Sequence, residues 1–500
     1  MTSAQEINDL RIIIQSSIPL IVIESTEELR IKKLLVELAV VLNKPLHGWT
    51  VTEGMRRIDV DKKFTPIKSS EDPDIALKTI KNTERPSIFV LFDFHHYLED
   101  SYKTQRLLKE IAIQNSNHKN GNCIVLVGHQ MDISADLRRH AARFDLTMPN
   151  REQLDKLVRE EAINWSKKNR GKRVTTDNKT LARLVDNLRG LTFGDARRLI
   201  RKVIWNDGAI TDAELPAVNK AKFELLDMDG VLSFEYDTAQ FSEVGGLRKL
   251  KSWVSKREKA FFQDESAKQL EPPKGMMLVG VQGGGKSLAS KAVAGIWGVP
   301  LLRLDFGTLY NKYHGETEKN LRQALKMAEL MSPCVLWMDE IEKGIATNDN
   351  DGGTSRRVLG TLLTWMSEQA NGVFVVATAN DISGLPPELI RKGRLDEIFF
   401  VDLPSPEVRE DIFEIHLLKR KLNPSNYKLT QLAELTDGFS GAEIEQAVVS
   451  SLYHAVAEED EPNQQHLIEE IKNTRPLSVV MAEHLTELRL WAKNRTVFAD

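Results

Sequence analysis

One short segment constrains this chain more than any other: Gly280-Val-Gln-Gly-Gly-Gly-Lys286-Ser287 fits the pattern G-x-x-x-x-G-K-[ST]. It stands between an apolar run, Met276 to Val279, and a stretch, Leu288 to Trp297, whose apolar residues share one helical face before Gly298 stops it. A strand, a glycine turn and a helix in that order point to an α/β layer. The glycines let the backbone curl until its N–H groups face an anion, and the helix N-terminus adds partial positive charge. Lys286 is placed to neutralise β- and γ-phosphates, and the Ser287 hydroxyl to reach Mg²⁺. Gly280, Gln282, Gly283, Gly284, Gly285, Lys286, Ser287 and Leu288 are therefore the expected contacts of bound ATP.

A second apolar run, Val335-Leu-Trp-Met, ends in Asp339-Glu340. Behind a phosphate loop, such a pair supplies what phosphoryl transfer still lacks. Asp339 can hold the metal through a water, and Glu340 can orient or deprotonate the attacking water. A third run, Val373 to Ala379, leads into Asn380, a polar side chain able to hold that water or sense the γ-phosphate. The expected reaction is hydrolysis of ATP to ADP and phosphate.

At 500 residues the chain exceeds what one hydrophobic core usually serves. Apolar runs alternate with helical patterns twice, from Ile18 to Met148 and from Met276 to Leu403, and each series is followed by a mainly helical stretch. The landmarks repeat: Pro86-Ser-Ile-Phe-Val-Leu-Phe-Asp93 parallels Pro333-Cys-Val-Leu-Trp-Met-Asp339, and Gly190 lies nearly as far beyond Asp93 as Gly438 lies beyond Asp339. The chain therefore reads as two tandem α/β modules, each a parallel sheet followed by a small helical lid. The expected boundaries are 1–215 for the first module, 216–235 for a linker, 236–403 for the second α/β layer, and 404–500 for its lid and C-terminal helices. In the first module the run Leu20-Ile-Val-Ile23 leads into Glu24-Ser-Thr-Glu27-Glu28, with no glycine to curl and with carboxylates where phosphates would lie. That module is expected to be degenerate and to bind no ATP.

The balance of 68 Lys plus Arg against 72 Asp plus Glu, a net charge of -4, gives no chain-wide attraction to nucleic acid or acidic membranes. Cys123 and Cys334 both sit in apolar runs, so no disulfide is expected and a reducing compartment is favoured. No apolar stretch approaches the roughly 20 residues of a membrane helix. Met1 to Leu10 does not have the layout of a signal peptide, and a soluble, cytoplasmic protein is expected.

The segment Asp381 to Asp396, Asp-Ile-Ser-Gly-Leu-Pro-Pro-Glu-Leu-Ile-Arg-Lys-Gly-Arg-Leu-Asp, closely resembles the arginine-finger region of AAA ATPases, and the likeness extends over most of Phe234 to Ala455. The resemblance implies that Arg391 and Arg394 reach a neighbouring subunit's pocket. It further implies that Gly441 and Ala442 flank the nucleotide, that His416 lies near the adenosine, and that Val244 and Gly245 line the adenine site. Fingers acting in trans imply a ring, hexameric by family analogy. The arrangement of an inactive half followed by an ATPase half resembles a family of AAA proteins encoded as a hypothetical open reading frame in many chloroplast and cyanobacterial genomes.

The stretch Leu309-Tyr-Asn-Lys-Tyr313-His314-Gly315-Glu316 is similar to the central-pore loop of protein-translocating AAA motors, with Tyr313 in the gripping position and His314 where an aliphatic residue is usual. A motor that remodels or unfolds a protein client is the reading this favours. A nucleotide-gated assembly switch or scaffold without threading is the alternative. Nucleic acid ranks lower, because the basic run Lys167-Lys-Asn-Arg-Gly-Lys-Arg173 has no interleaved aromatic residue. No histidine pair forms a zinc-protease pattern such as H-E-x-x-H.

Overall fold

The computed structural model describes residues 4–60, 65–99, 101–116, 121–129, 131, 133–211, 213–226, 232–236, 243–267, 269–311, 317–345, 354–368, 372–382, 384–391 and 393–500. The chain divides into two compact units, 1–148 and 149–500.

The first unit is built on strands β1 (Leu20–Glu24), β2 (Leu46–Thr50), β3 (Gly54–Arg57), β4 (Ile88–Phe92), β5 (Cys123–Gly128) and β6 (Ala141–Arg143), in the order β3-β2-β4-β5-β1-β6. All pairings are parallel except β2 with β3. Helices cover both faces, so a strand such as β1 is an unbroken apolar run instead of an alternating one. Leu20 and Val22 enter one core with Trp49 and Phe89, while Ile21 and Ile23 enter the other with Leu34 and Leu38. After β1, Glu24 and Glu27 are engaged, while Glu28 is exposed. Arg30 holds Glu6 at 2.7 Å and Glu27 at 2.9 Å, and Glu24 accepts the Met131 backbone N–H at 3.2 Å. Arg30 thus ties the turn after β1 to the helix Ala4–Gln15.

The second unit begins with helices Arg151–Lys168, Asn178–Asn187, Phe193–Asp207 and Leu215–Leu225 around a core that includes Leu154, Leu184, Leu199 and Ile204. The first three have side-chain N-caps, Asn150 (with Gln153 completing a capping box), Asp177 and Thr192. The sheet that follows contains β7 (Leu232–Glu235), β8 (Gly275–Gly280), β9 (Leu301–Leu304), β10 (Cys334–Met338), β11 (Val373–Ala379), β12 (Glu397–Val401) and β13 (Val497–Phe498), in the order β13-β12-β8-β11-β10-β9-β7. Residues of β10 alternate between two cores, Leu336 and Met338 on one face and Val335 and Trp337 on the other. The five parallel strands β9-β10-β11-β8-β12 repeat the order β2-β4-β5-β1-β6 of the first unit, and Asp93 and Asp339 follow the equivalent strands β4 and β10. The lid helices Pro406–Lys419, Leu429–Leu435, Gly441–Ala457 and Gln464–Asn473 share a separate core around Phe413, Leu432 and Val448. No helix among the described residues is long and apolar enough to cross a membrane.

Three boundaries differ from the sequence reading. The helices after Arg151 belong to the second unit, where Phe223 and Leu226 pack on the sheet core and Gly190 sits so close to the Leu330 carbonyl that a Cβ would lie 2.6 Å from it. The stretch read as a linker supplies most of the helix Leu215–Leu225 and the edge strand β7. Pro216 reads as an interruption, but it occupies the first helical turn, where its missing N–H costs nothing. At the other end, Val497–Phe498 is a strand added to β12, not a helix.

One residue of the helical domain carries a testable cost. Lys222 is fully buried, its Nζ has no hydrogen-bond partner among the described residues, and burial pushes its ammonium down to about 7. Unfolded lysine titrates near 10.5. Between these values the unfolded chain binds more protons, so stability rises with pH from about 7 to about 10.5 and the penalty is full below that window. Lys222→Met should therefore stabilise the protein most at pH 6, by on the order of a few kcal/mol and with the largest rise in melting temperature, and least near pH 10. Thermal melts of both proteins across this range check it; an equal shift at every pH would contradict it.

Candidate nucleotide site

Strand β8 ends at Gly280, with φ +148°, where any side chain would collide with the Val401 carbonyl. Gly283 and Gly285 follow at φ +75° and +91°, and Gly285 caps the helix Lys286–Trp297. That helix is seated by Ala289, Val293 and Trp297, whose indole stacks on Phe261 at 4.5 Å. Lys286 is 6% exposed, and its Nζ donates to the Gly280 and Val281 carbonyls at 2.9 and 2.7 Å. Burial pulls its ammonium down to about 8. A desolvated cation in a glycine cradle at a helix N-terminus fits a polyphosphate, whose charge would favour the protonated lysine.

The acidic wall is assembled by Thr378 of β11. Its hydroxyl donates to Asp339 Oδ1 at 2.7 Å and accepts the Glu340 backbone N–H at 3.1 Å. Asp339 Oδ2 also accepts from Arg303 of β9 at 3.3 Å. Glu340 adopts φ +47°, an uncommon conformation for a non-glycine residue of the kind found at functional sites. Asn380 Nδ2 donates to Glu340 Oε1 at 2.9 Å, and Lys343 holds Oε2. Glu342 is 7% exposed and accepts the Asn380 backbone N–H at 3.0 Å, with its carboxyl pushed up by burial. Ser287 and Asp339 face the same cavity and offer the hard oxygen donors that suit Mg²⁺.

The lid closes the other side. Ser440 and Glu443 form a capping box on the helix Gly441–Ala457, and the Ala442 N–H donates to the Gly283 carbonyl at 3.2 Å. Gly245 lies against Ile412, where a Cβ would come within 2.6 Å. The Val244 carbonyl accepts from Lys251 Nζ. His416 lies 3.4 Å from Glu445, and burial lowers its imidazole despite that carboxylate.

These elements enclose a cavity of about 600 Å³, within the range of small-molecule sites. Val244, Gly245, Gln282, Gly283, Gly284, Gly285, Lys286, Ser287, Leu288, Asp339, Glu340, Asn380, His416, Gly441 and Ala442 all line it, and Gly280 takes part through its carbonyl to Lys286. Arg391 and Arg394 are not brought to it. Both lie between the short helix Pro387–Ile390 and β12; Arg391 is exposed and Arg394 donates to the Glu388 carbonyl. Tyr313 and His314 lie outside the described residues.

Sequence reasoning missed Thr378, Glu342, Arg303 and the C-terminal segment. Thr378 and Arg303 reach the acid pair only because their strands β11 and β9 flank β10. The C-terminal segment gave no periodic signal. Strand β13 delivers Phe498, Ala499 and Asp500 to the cavity wall, where the Ala499 carbonyl and Asp500 carboxylate accept N–H groups from the start of the helix Arg248–Phe261.

Comparison with known proteins agrees with this layout. Residues 276–403 match the ATPase family associated with various cellular activities (AAA), and residues 426–470 match the AAA+ lid domain. Residues 6–146 and 152–229 match the N-terminal and second domains of SpoVK-like AAA ATPases. The AAA domain-containing protein ycf46 of Pyropia yezoensis is 35% identical over 492 residues, covering 97% of each chain. That of Guillardia theta is 34% identical over 497 residues, covering 97% of this chain and 94% of its own. The proteasome-activating nucleotidase of Aeropyrum pernix is 38% identical over 194 residues, 37% of this chain and 47% of that protein.

Proposed function

Because the chain belongs to the AAA ATPases, among the ycf46 AAA domain-containing proteins, we propose that it hydrolyses Mg²⁺-bound ATP within a homo-oligomeric ring, hexameric by analogy, and uses the turnover to remodel or unfold a protein client. The observation that carries this reading is a nucleotide cavity furnished with a phosphate cradle, an acid pair and a lid, yet lined by no arginine among the described residues. The relationship of the second module to proteasome-activating nucleotidases supports a protein client over a small-molecule one.

In this reading the glycine loop and Lys286 bind the phosphates, while Ser287 and Asp339 would hold Mg²⁺, which would supply charge neutralisation on the phosphate oxygens. Thr378 fixes Asp339 and the backbone of Glu340 relative to each other. Glu340 orients the attacking water and accepts its proton. In the structure Asn380 and Lys343 each donate to one of its oxygens, which orients the carboxylate and leaves a second lone pair on each oxygen for a water. Glu342 keeps Asn380 in place through the backbone. Gly245, His416 and Ala442 enclose the nucleoside.

Tyr313→Ala tests the threading step. The variant should keep ATP turnover while losing the unfolding of a fluorescently tagged client, the client being one recovered with ATP-trapped Glu340→Gln protein. Full remodelling activity in the variant would instead favour a nucleotide-gated assembly switch.

A further inference from the structure

The basic segment Lys167 to Arg173 acquires in three dimensions the aromatic partner it lacks in sequence. Lys168 ends one helix of the helical domain, and Trp205 lies in the last turn of another, Phe193–Asp207. The Trp205 ring is 42% exposed, with Lys168 Nζ 4.5 Å from its centroid and the Arg201 guanidinium carbon at 5.8 Å. Lys167, Lys168, Arg170, Lys172 and Arg173 are all exposed, and none is ion-paired among the described residues. The nearby acid Glu161 is already neutralised, lying 2.8 Å from Arg201 and 3.1 Å from Arg197. Trp205 also lines a groove of about 420 Å³ with Leu199, Lys202, Asn206, Ala217 and Val218.

A half-exposed indole that already attracts the Lys168 and Arg201 cations, next to the exposed Lys167, Arg170, Lys172 and Arg173, offers two complementary contacts, a π-system for a base and positive charge for phosphates. Stacking of this kind needs a base free of its own partners, which a single strand provides and a duplex does not. An acidic peptide would use the cations but leave the ring and the groove idle. We propose that this face of the helical domain binds single-stranded nucleic acid, with a base stacked on Trp205 and the backbone running along Lys167 to Arg173. The site lies on residues other than those lining the nucleotide cavity and is independent of the client reading above.

Fluorescence anisotropy of the full-length protein with labelled oligo(dT) and oligo(U) tests this. Both strands should bind at low salt, with affinity falling linearly on a log–log salt plot. Trp205→Ala should weaken binding by about 5- to 150-fold with little change in that slope, and Trp205→Phe should restore most of the loss. Lys172→Glu with Arg173→Glu should weaken binding and flatten the slope by about one phosphate per residue. Unchanged ATP turnover and melting temperature show that the variants are folded. The proposal is overturned if neither strand binds at low salt. It is equally overturned if sodium polyphosphate or poly-glutamate competes as well as oligo(dT) while Trp205→Ala binds like wild type, which would leave only a nonspecific anion surface.

Discussion

Glu340→Gln should lower ATP turnover by about 10²- to 10⁴-fold while leaving ATP binding in place. Glutamine keeps the length of the side chain and its contact with Asn380, so the wall of the cavity should not collapse. What is lost is the charge and basicity needed to align a water and take its proton. The backbone of Glu340 is fixed at φ +47° by its N–H bond to Thr378, and that bond survives the change. The effect therefore belongs to turnover and not to affinity. Steady-state phosphate release, paired with titration of a fluorescent ATP analogue, separates the two. Turnover within a factor of about ten of wild type would show that another group activates the water, because removing a positioned general base costs more than that. Loss of binding would instead place Glu340 among the groups that hold the nucleotide.

The parts of this site that were legible in the sequence are those whose chemistry is contiguous. Gly280 to Ser287 is a single turn, and its glycines, lysine and hydroxyl act on the same phosphates, so the pattern carries the geometry. Asp339 and Glu340 end an apolar strand that both cores bury, and the acids mark where it emerges. The doubling of the α/β layer was legible for the same reason, since buried parallel strands are unbroken apolar runs, whereas the order of the strands was not.

Contacts that depend on neighbours across the sheet were not legible. Thr378 matters because β11 pairs beside β10, and Arg303 because β9 pairs on its other side; neither adjacency is written in the local pattern. Glu342 reads as one more acid on a short helix until the fold buries it under the Asn380 N–H. The helices after Arg151 were assigned to the wrong neighbour because periodicity reports that a helix has a buried face, not which core buries it. Lys222 shows the limit clearly: a lysine in a polar-looking stretch is expected at the surface, and here it is fully enclosed.

Arg391→Ala or Arg394→Ala should lower ATP turnover by about 10³- to 10⁵-fold, or about 4 to 7 kcal/mol of transition-state stabilisation, even though neither residue lines the cavity of its own chain. The segment that carries them is well anchored. Leu389 and Leu395 are buried, Asp396 accepts the Lys274 and Gly275 backbone N–H groups at 2.7 and 2.9 Å, and Lys274 Nζ reaches the Gly393 carbonyl at 3.3 Å. These bonds tie the segment to the start of β8, the strand whose far end is the glycine loop. Arg391 nevertheless points its charge at no acid among the described residues, which suits a group that finds its anion on a neighbouring subunit. Mixing decides between a role in trans and one in cis. A Glu340→Gln subunit has intact arginines and a silent pocket, and an Arg391→Ala, Arg394→Ala subunit has the converse. Co-assembled, they should recover turnover that neither shows alone, because the arginines of the first complete the pocket of the second. No recovery in mixed rings of verified composition would place the arginines in service of their own chain, and the active site would then not be a subunit interface.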